Sequence, residues 1–134
     1  MLRKVHPNAD LALTTNGVIL GRHAERLLNA GLDRVTVSMD ALSPSVYNEM
    51  GDVEHGPEAT LRGIEKALDV GLKVKVNCVV RAGVNEGELL PLIEHFGPRR
   101  VPVRFIEFMD VGTTNRWAME EVVTSQNVRR NIAT

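Results

Sequence analysis

GLKVKVNCVV, residues 71–80, is the stretch on which the fold turns. Val74, Val76, Cys78 and Val80 alternate with Lys73, Lys75 and Asn77, and a β-strand sends successive side chains to opposite faces. One face is therefore apolar, and the other carries two ammonium groups and an amide. The apolar face calls for a covering layer. If the strand is central, its cationic face must look onto water, a ligand or a carboxylate, because burying an unpaired ammonium is prohibitively unfavourable. The competing reading is an edge strand whose lysines are simply solvated.

Three more apolar runs recur around this one, and helical patterns follow the first two. DLALTTNG (10–17) predicts a strand ending at a Gly17 turn, and 18–30 then sets Leu20, Ala24, Leu27 and Leu28 on one helical stripe with Gly31 as the stop. RVTVSMD (34–40) is the next strand, with Ser43 as helix cap and Pro44 at the first helical position. That helical region breaks at GDVEHGP (51–57) and resumes with Leu61, Ile64, Ala67 and Leu68 in register before Gly71. A helix over 85–97 follows the opening strand, irregular in its first turn at Pro91. VPVRFIEFMD (101–110) is the fourth strand, ahead of a polar loop and a short amphipathic tail. Strands separated by helices predict parallel pairing with right-handed crossovers, hence an α/β sheet, open or curled into a barrel.

Composition narrows the class. The 134 residues suit one domain, 1–134, with no linker that would divide it. A formal charge of -1 argues against nucleic acid as a partner. No run approaches the roughly 20 apolar residues of a membrane span, and the first ten residues carry no secretory h-region. A lone cysteine, Cys78, excludes an internal disulfide and cannot hold a metal cluster by itself. These features predict a cytoplasmic protein without membrane or nucleic-acid partners.

Ligands of parallel α/β proteins gather at the carboxyl ends of strands. By the two-residue period Thr14 shares a face with Asn16, Thr36 with Ser38 and Asp40, and Lys73 with Lys75 and Asn77. Those faces could line one cavity. In the fourth strand either alternation is open. Lys75 is expected to meet an anionic ligand or a carboxylate such as Glu107. Local alternatives exist: Thr14, Thr15 and Asn16 as turn chemistry, and Asp40 as a helix cap. His6, His23, His55 and His95 read as surface residues, and Cys78 as a small core residue. No catalytic residue or metal ligand emerges from the pattern.

LALTTNG (11–17), AGLDRVTVSMDAL (30–42), GLKVKVNCVV (71–80), GVNEGELLPLIEHF (83–96) and RFIEFMDVGTTNRW (104–117), in this order, resemble the middle of the GTP 3',8-cyclase family of molybdenum cofactor biosynthesis. The resemblance covers nearly the whole chain. It implies a radical S-adenosylmethionine enzyme built on an incomplete six-stranded TIM-like (β/α) barrel, of which about four strand-helix units are present, with two 4Fe-4S clusters in the full-length family. It also implies GTP contacts at Thr14 and Lys75 and S-adenosylmethionine contacts at Ser38 and Met109. In the family's chemistry an adenosyl radical takes a hydrogen from the GTP ribose and the resulting carbon radical attacks the guanine. The family's cluster-binding cysteines are expected upstream of Met1 and beyond Thr134, so the isolated chain is expected to be inactive; the alternative is a non-catalytic nucleotide-binding or interaction module. Arg116 departs from the glycine usual in that loop. Uncovered sheet edges in a part-barrel predict self-association.

Overall fold

A computed structural model of the chain describes residues 2–108 and, further on, residues 126, 129, 130 and 132. In chain order the elements are α1 (Leu2–Val5), β1 (Ala12–Thr15), α2 (Leu20–Asn29), β2 (Arg34–Ser38), α3 (Pro44–Gly51), α4 (Glu58–Asp69), β3 (Lys73–Val80), α5 (Leu89–Phe96) and β4 (Val103–Glu107). Short 3-10 turns at Glu86–Glu88 and Gly97–Arg99 flank α5. Met109, Arg116, the loop that contains Arg116 and most of the tail lie outside the described residues. No described helix is long and apolar enough to cross a membrane.

All four strands are parallel and lie in the order β1-β2-β3-β4. A strand order that never reverses returns every right-handed crossover to the same side of the sheet, as in a barrel and unlike a doubly wound sheet. The chain is thus an α/β part-barrel. β3 is interior, pairing with β2 along one side and β4 along the other, so the solvated-edge reading of its lysines fails.

The period-two pattern of residues 73–80 is realised in full. Val74, Val76, Cys78 and Val80 are buried, as are Val35 and Val37 beside them, beneath Leu20, Ala24, Ile64, Ala67, Leu92 and Phe96 of the helices. Each valine, leucine, isoleucine or phenylalanine among them stabilises the fold by about 1.5–3 kcal/mol when fully buried. Glycines let the cover come close. A Cβ on Gly63 of α4 would fall 2.5 Å from the Gly17 carbonyl oxygen and 3.0 Å from Leu20 Cβ. Gly17 itself has φ of +79° and lies against Val37 and Thr60, so the Asn16–Gly17 turn is fixed by packing as well as by backbone conformation.

Local chemistry departs from expectation in element lengths and at Ser43, and agrees with it at Pro91. The strands are shorter than the apolar runs, and the four-residue α1 had no sequence signal. Ser43 does sit at the cap position of α3, with Pro44 first in the helix, but its side chain makes no cap hydrogen bond. Pro91 falls in the first turn of α5, where its missing N–H has no intrahelical partner to lose.

Candidate functional site

The register assembles the polar face. Thr14 of β1 stands opposite Thr36 of β2, which stands opposite Lys75 of β3. In a parallel sheet paired residues share a face, and the strand neighbours of Thr36 and Lys75, which are Val35, Val37, Val74 and Val76, are core residues, so the row Thr14–Thr36–Lys75 lies on the side away from the helices that cover that core. Ser38, Asn77 and Arg104 form the next row on that face. Strand spacing separates Thr14 from Lys75 by roughly 10 Å, and the rows by roughly 7 Å. Thr14 and Ser38 are exposed, while Thr36, Lys75 and Asn77 are half-buried.

The same register settles the fourth strand. Glu107 pairs with Val80 and Phe105 with Cys78, both on the helix side, so Glu107 stands on the face opposite Lys75 and is not its carboxylate partner. No described residue forms a hydrogen bond or ion pair with the Lys75 ammonium. Asn77 Oδ1 is buried and lacks a partner among the described residues, an arrangement that costs about 1–3 kcal/mol unless a donor arrives.

Two hollows border the polar rows. A cleft of about 170 Å³ at the carboxyl ends of β1 and β2 is lined by Asn16, Ser38, Asp40, Tyr47 and His55, with Val18, Gly51 and Val53 completing it. A second, of about 360 Å³, lies toward the amino ends, where Arg34, Thr36, Lys73, Lys75 and Arg100 contribute four cations. Ser38 and Lys75 therefore line separate hollows on one sheet, and Thr14 joins Lys75 only through their common row.

Hydrogen bonds tie the strand exits around the cleft. Thr60 Oγ1 contacts both Tyr47 Oη at 2.8 Å and the Asn16 carbonyl oxygen at 2.9 Å, joining α3, α4 and the β1 exit. Asp40 does not cap a helix. Its Oδ1 accepts the Val79 N–H at 2.8 Å, carrying the β2–β3 ladder past the last backbone pair. The wholly buried Asn85 donates to the carbonyl oxygens of Asp40 (2.9 Å) and Val79 (2.8 Å) and accepts from the Arg81 amide (2.8 Å). Glu88 takes over the capping role at α3, accepting from the amides of Leu42 (2.7 Å) and Ser43 (3.1 Å) and from Ser43 Oγ (2.5 Å).

These environments set the proton affinities. Burial pushes the Asp40 carboxyl up, with the Val79 amide opposing. Burial would also raise Glu88, but the Ser43 hydroxyl and the two amides outweigh it and hold that carboxyl below its usual range. Burial, reinforced by the charges of Asp40 and Glu88, drives the Cys78 thiol far up, as befits a core residue. Among the described residues no three His, Cys, Asp or Glu side chains converge as a metal site.

Thr14, Ser38 and Lys75 lie on one face of the sheet, although Ser38 and Lys75 line different hollows; Met109 lies outside the described residues. Sequence reasoning missed Asn85, Glu88, Tyr47 and Arg104, and it read His55 only as a surface residue. His55 is exposed but also lines the cleft, its ring edge-on to Tyr47 with centroids 5.9 Å apart. Only Glu88 left a trace in the pattern, as one of two acidic residues in the turn before α5.

Comparisons with known proteins agree with this architecture. A model of the radical SAM superfamily matches residues 1–96. A GTP 3',8-cyclase of Xanthomonas campestris pv. campestris (strain 8004) is 51% identical over 124 residues, covering 92% of this chain and 37% of that protein. The GTP 3',8-cyclase of Staphylococcus epidermidis (strain ATCC 35984) is 41% identical over 119 residues, 89% of this chain and 35% of that protein. That of Staphylococcus aureus (strain bovine RF122) is 37% identical over 127 residues, with 95% and 37% covered. The chain thus spans little more than a third of the length of the curated relatives it matches.

Proposed function

The chain belongs to the radical SAM superfamily, and from that premise we propose that it is the central portion of a GTP 3',8-cyclase of molybdenum cofactor biosynthesis. The observation that carries the reading is the row Thr14–Thr36–Lys75, in which a half-buried ammonium without a described carboxylate partner faces away from the core of an interior strand. Thr14 and Lys75 are GTP contacts in this reading, and Ser38 and Met109 are S-adenosylmethionine contacts. A compact ammonium suits anionic oxygens, while hydroxyls from adjoining strands fix orientation.

The superfamily works with S-adenosylmethionine and 4Fe-4S clusters, which supply the radical when bound. The residues of this chain do not fit a cluster. The sequence holds one cysteine, and Cys78 is buried on the helix side with its thiol held protonated. Both clusters of the proposed cyclase would need ligands other than those in this chain. What these residues can do is bind, orient and shield a nucleotide. In this reading the chain alone binds a nucleotide without cyclising it, and the edges that β1 and β4 present among the described residues favour self-association.

Calorimetric titration of the chain with GTP tests the reading. Lys75→Met is expected to weaken GTP by roughly tenfold or more, the range for a lost hydrogen bond to a charged group, with S-adenosylmethionine affinity retained. Equal GTP affinity in both proteins would refute the assignment of Lys75.

A further inference from the structure

The carboxyl-end cleft is built from strands whose exits would otherwise diverge. β2 leaves the sheet after Ser38 to begin α3, and Met39 makes its last backbone ladder bond, to the Asn77 carbonyl oxygen at 2.9 Å. From that point two side chains of the β3 exit loop hold it. Asn85 bridges the Asp40 and Val79 carbonyl oxygens. Glu88 gathers the Leu42 and Ser43 amides and the Ser43 hydroxyl onto one carboxylate. Both are buried, at 0% and 6% exposure, although neither is part of the hydrophobic core.

The position of this clamp is informative. α3 carries Tyr47, one wall of the cleft, and Tyr47 reaches the β1 exit through Thr60. Its first-turn bond, from the Tyr47 amide to the Ser43 carbonyl oxygen at 2.9 Å, starts at the residue Glu88 holds. The Lys75 row lies on the ladder-paired part of the sheet and needs no such support.

We propose that Glu88 and Asn85 are positioning residues for the cleft, holding the Asp40–Ser43 segment and the start of α3 so that Ser38 and Tyr47 keep a fixed separation. Their effect on a ligand is selective: it reaches whatever binds at Ser38 and spares whatever binds at Lys75. This selectivity rests on the assignment of S-adenosylmethionine to Ser38 and GTP to Lys75 made above.

Amide hydrogen exchange on the whole chain, comparing wild type, Glu88→Ala and Glu88→Gln, reads the clamp directly, and titrations of the same samples with S-adenosylmethionine and with GTP read its selectivity. Glu88→Ala is expected to speed exchange at Leu42, Ser43 and Tyr47 roughly tenfold or more while the paired residues of β2 and β3 keep wild-type rates. It should weaken S-adenosylmethionine by roughly tenfold and leave GTP within about twofold. Glu88→Gln, whose side-chain carbonyl still accepts from both amides, should restore wild-type behaviour to within about twofold. Unchanged exchange at 42–47 in Glu88→Ala would overturn the proposal. So would faster exchange throughout the sheet with both ligands weakened alike, since that marks an ordinary stabilising residue. Should wild type take up neither ligand, the ligand assignments fail, and the exchange pattern alone still upholds or overturns the clamp.

Discussion

The two faces of the sheet are made from the same four strands, one residue out of step, and they obey different rules. On the helix side Val35, Val37, Val74, Val76, Cys78 and Val80 are buried to within 7% exposure and fill one core with α2, α4 and α5. On the other side Thr14, Thr36, Ser38, Lys75 and Asn77 face away from α2, α4 and α5 and leave an ammonium and an amide oxygen without partners among the described residues. The first arrangement lowers the free energy of folding. The second adds little to it and sacrifices a hydrogen bond at Asn77, so the groups on that face are better explained by something that binds than by the fold.

The contrast breaks most easily from the core side. Phe96→Ala empties a fully buried position and is expected to destabilise by about 3–5 kcal/mol in denaturant melts. A loss under about 1 kcal/mol would mean that the helical cover is loosely packed. Gly63→Ala should cost about 1–3 kcal/mol, because its new Cβ meets the Gly17 backbone rather than a movable side chain.

Acid titration probes the border between the faces, where two carboxylates have opposite signs. Glu88 is held below the usual range in the fold, so its contribution to stability is present above the unfolded value and is lost as pH falls through the folded one. Asp40 is raised by burial, so its contribution is present at low pH and lost as pH rises through its folded value. Melting curves from pH 7 to 3 are expected to show a flattened acid limb for Glu88→Gln. Asp40→Asn should melt higher than wild type at pH 7, with the gain shrinking on acidification. A wild-type acid limb in Glu88→Gln would contradict the hydrogen bonding described for that carboxylate.

The smallest effect on stability sharpens the comparison most. Lys75→Met on the polar face should change folding stability by under about 0.5 kcal/mol in the same melts. A loss as large as that of a core truncation would place Lys75 in the structural framework instead of the ligand face.

Much of this was legible in the sequence, and the reason is periodicity. Alternation over 73–80 identified the core face, and the strand-helix alternation gave the parallel sheet but left it open or curled into a barrel, which the strand order decides. The polar rows followed from the same period, apart from β4. There VRFIE carries apolar residues on both alternations, and only the pairing of Phe105 with Cys78 shows that Arg104 joins the polar face. The clamp was not legible because Asn85 and Glu88 act on residues 45 or 46 positions away, at a loop contact no local pattern encodes. Ser43 illustrates the limit. Its position as cap was evident, yet the bond went to Glu88 once the fold brought a stronger acceptor within reach.

Backbone NMR of the chain titrated with GTP tests most directly whether the sheet face turned away from α2, α4 and α5 is the ligand face. Shift changes are expected to concentrate at Thr14, Thr36 and Lys75 and to fade toward Val35 and Val74 beneath them. Changes centred instead on the outer groove between α2 and α4, at Arg22, Arg62 and Lys66, or no changes at saturating GTP, would contradict that assignment.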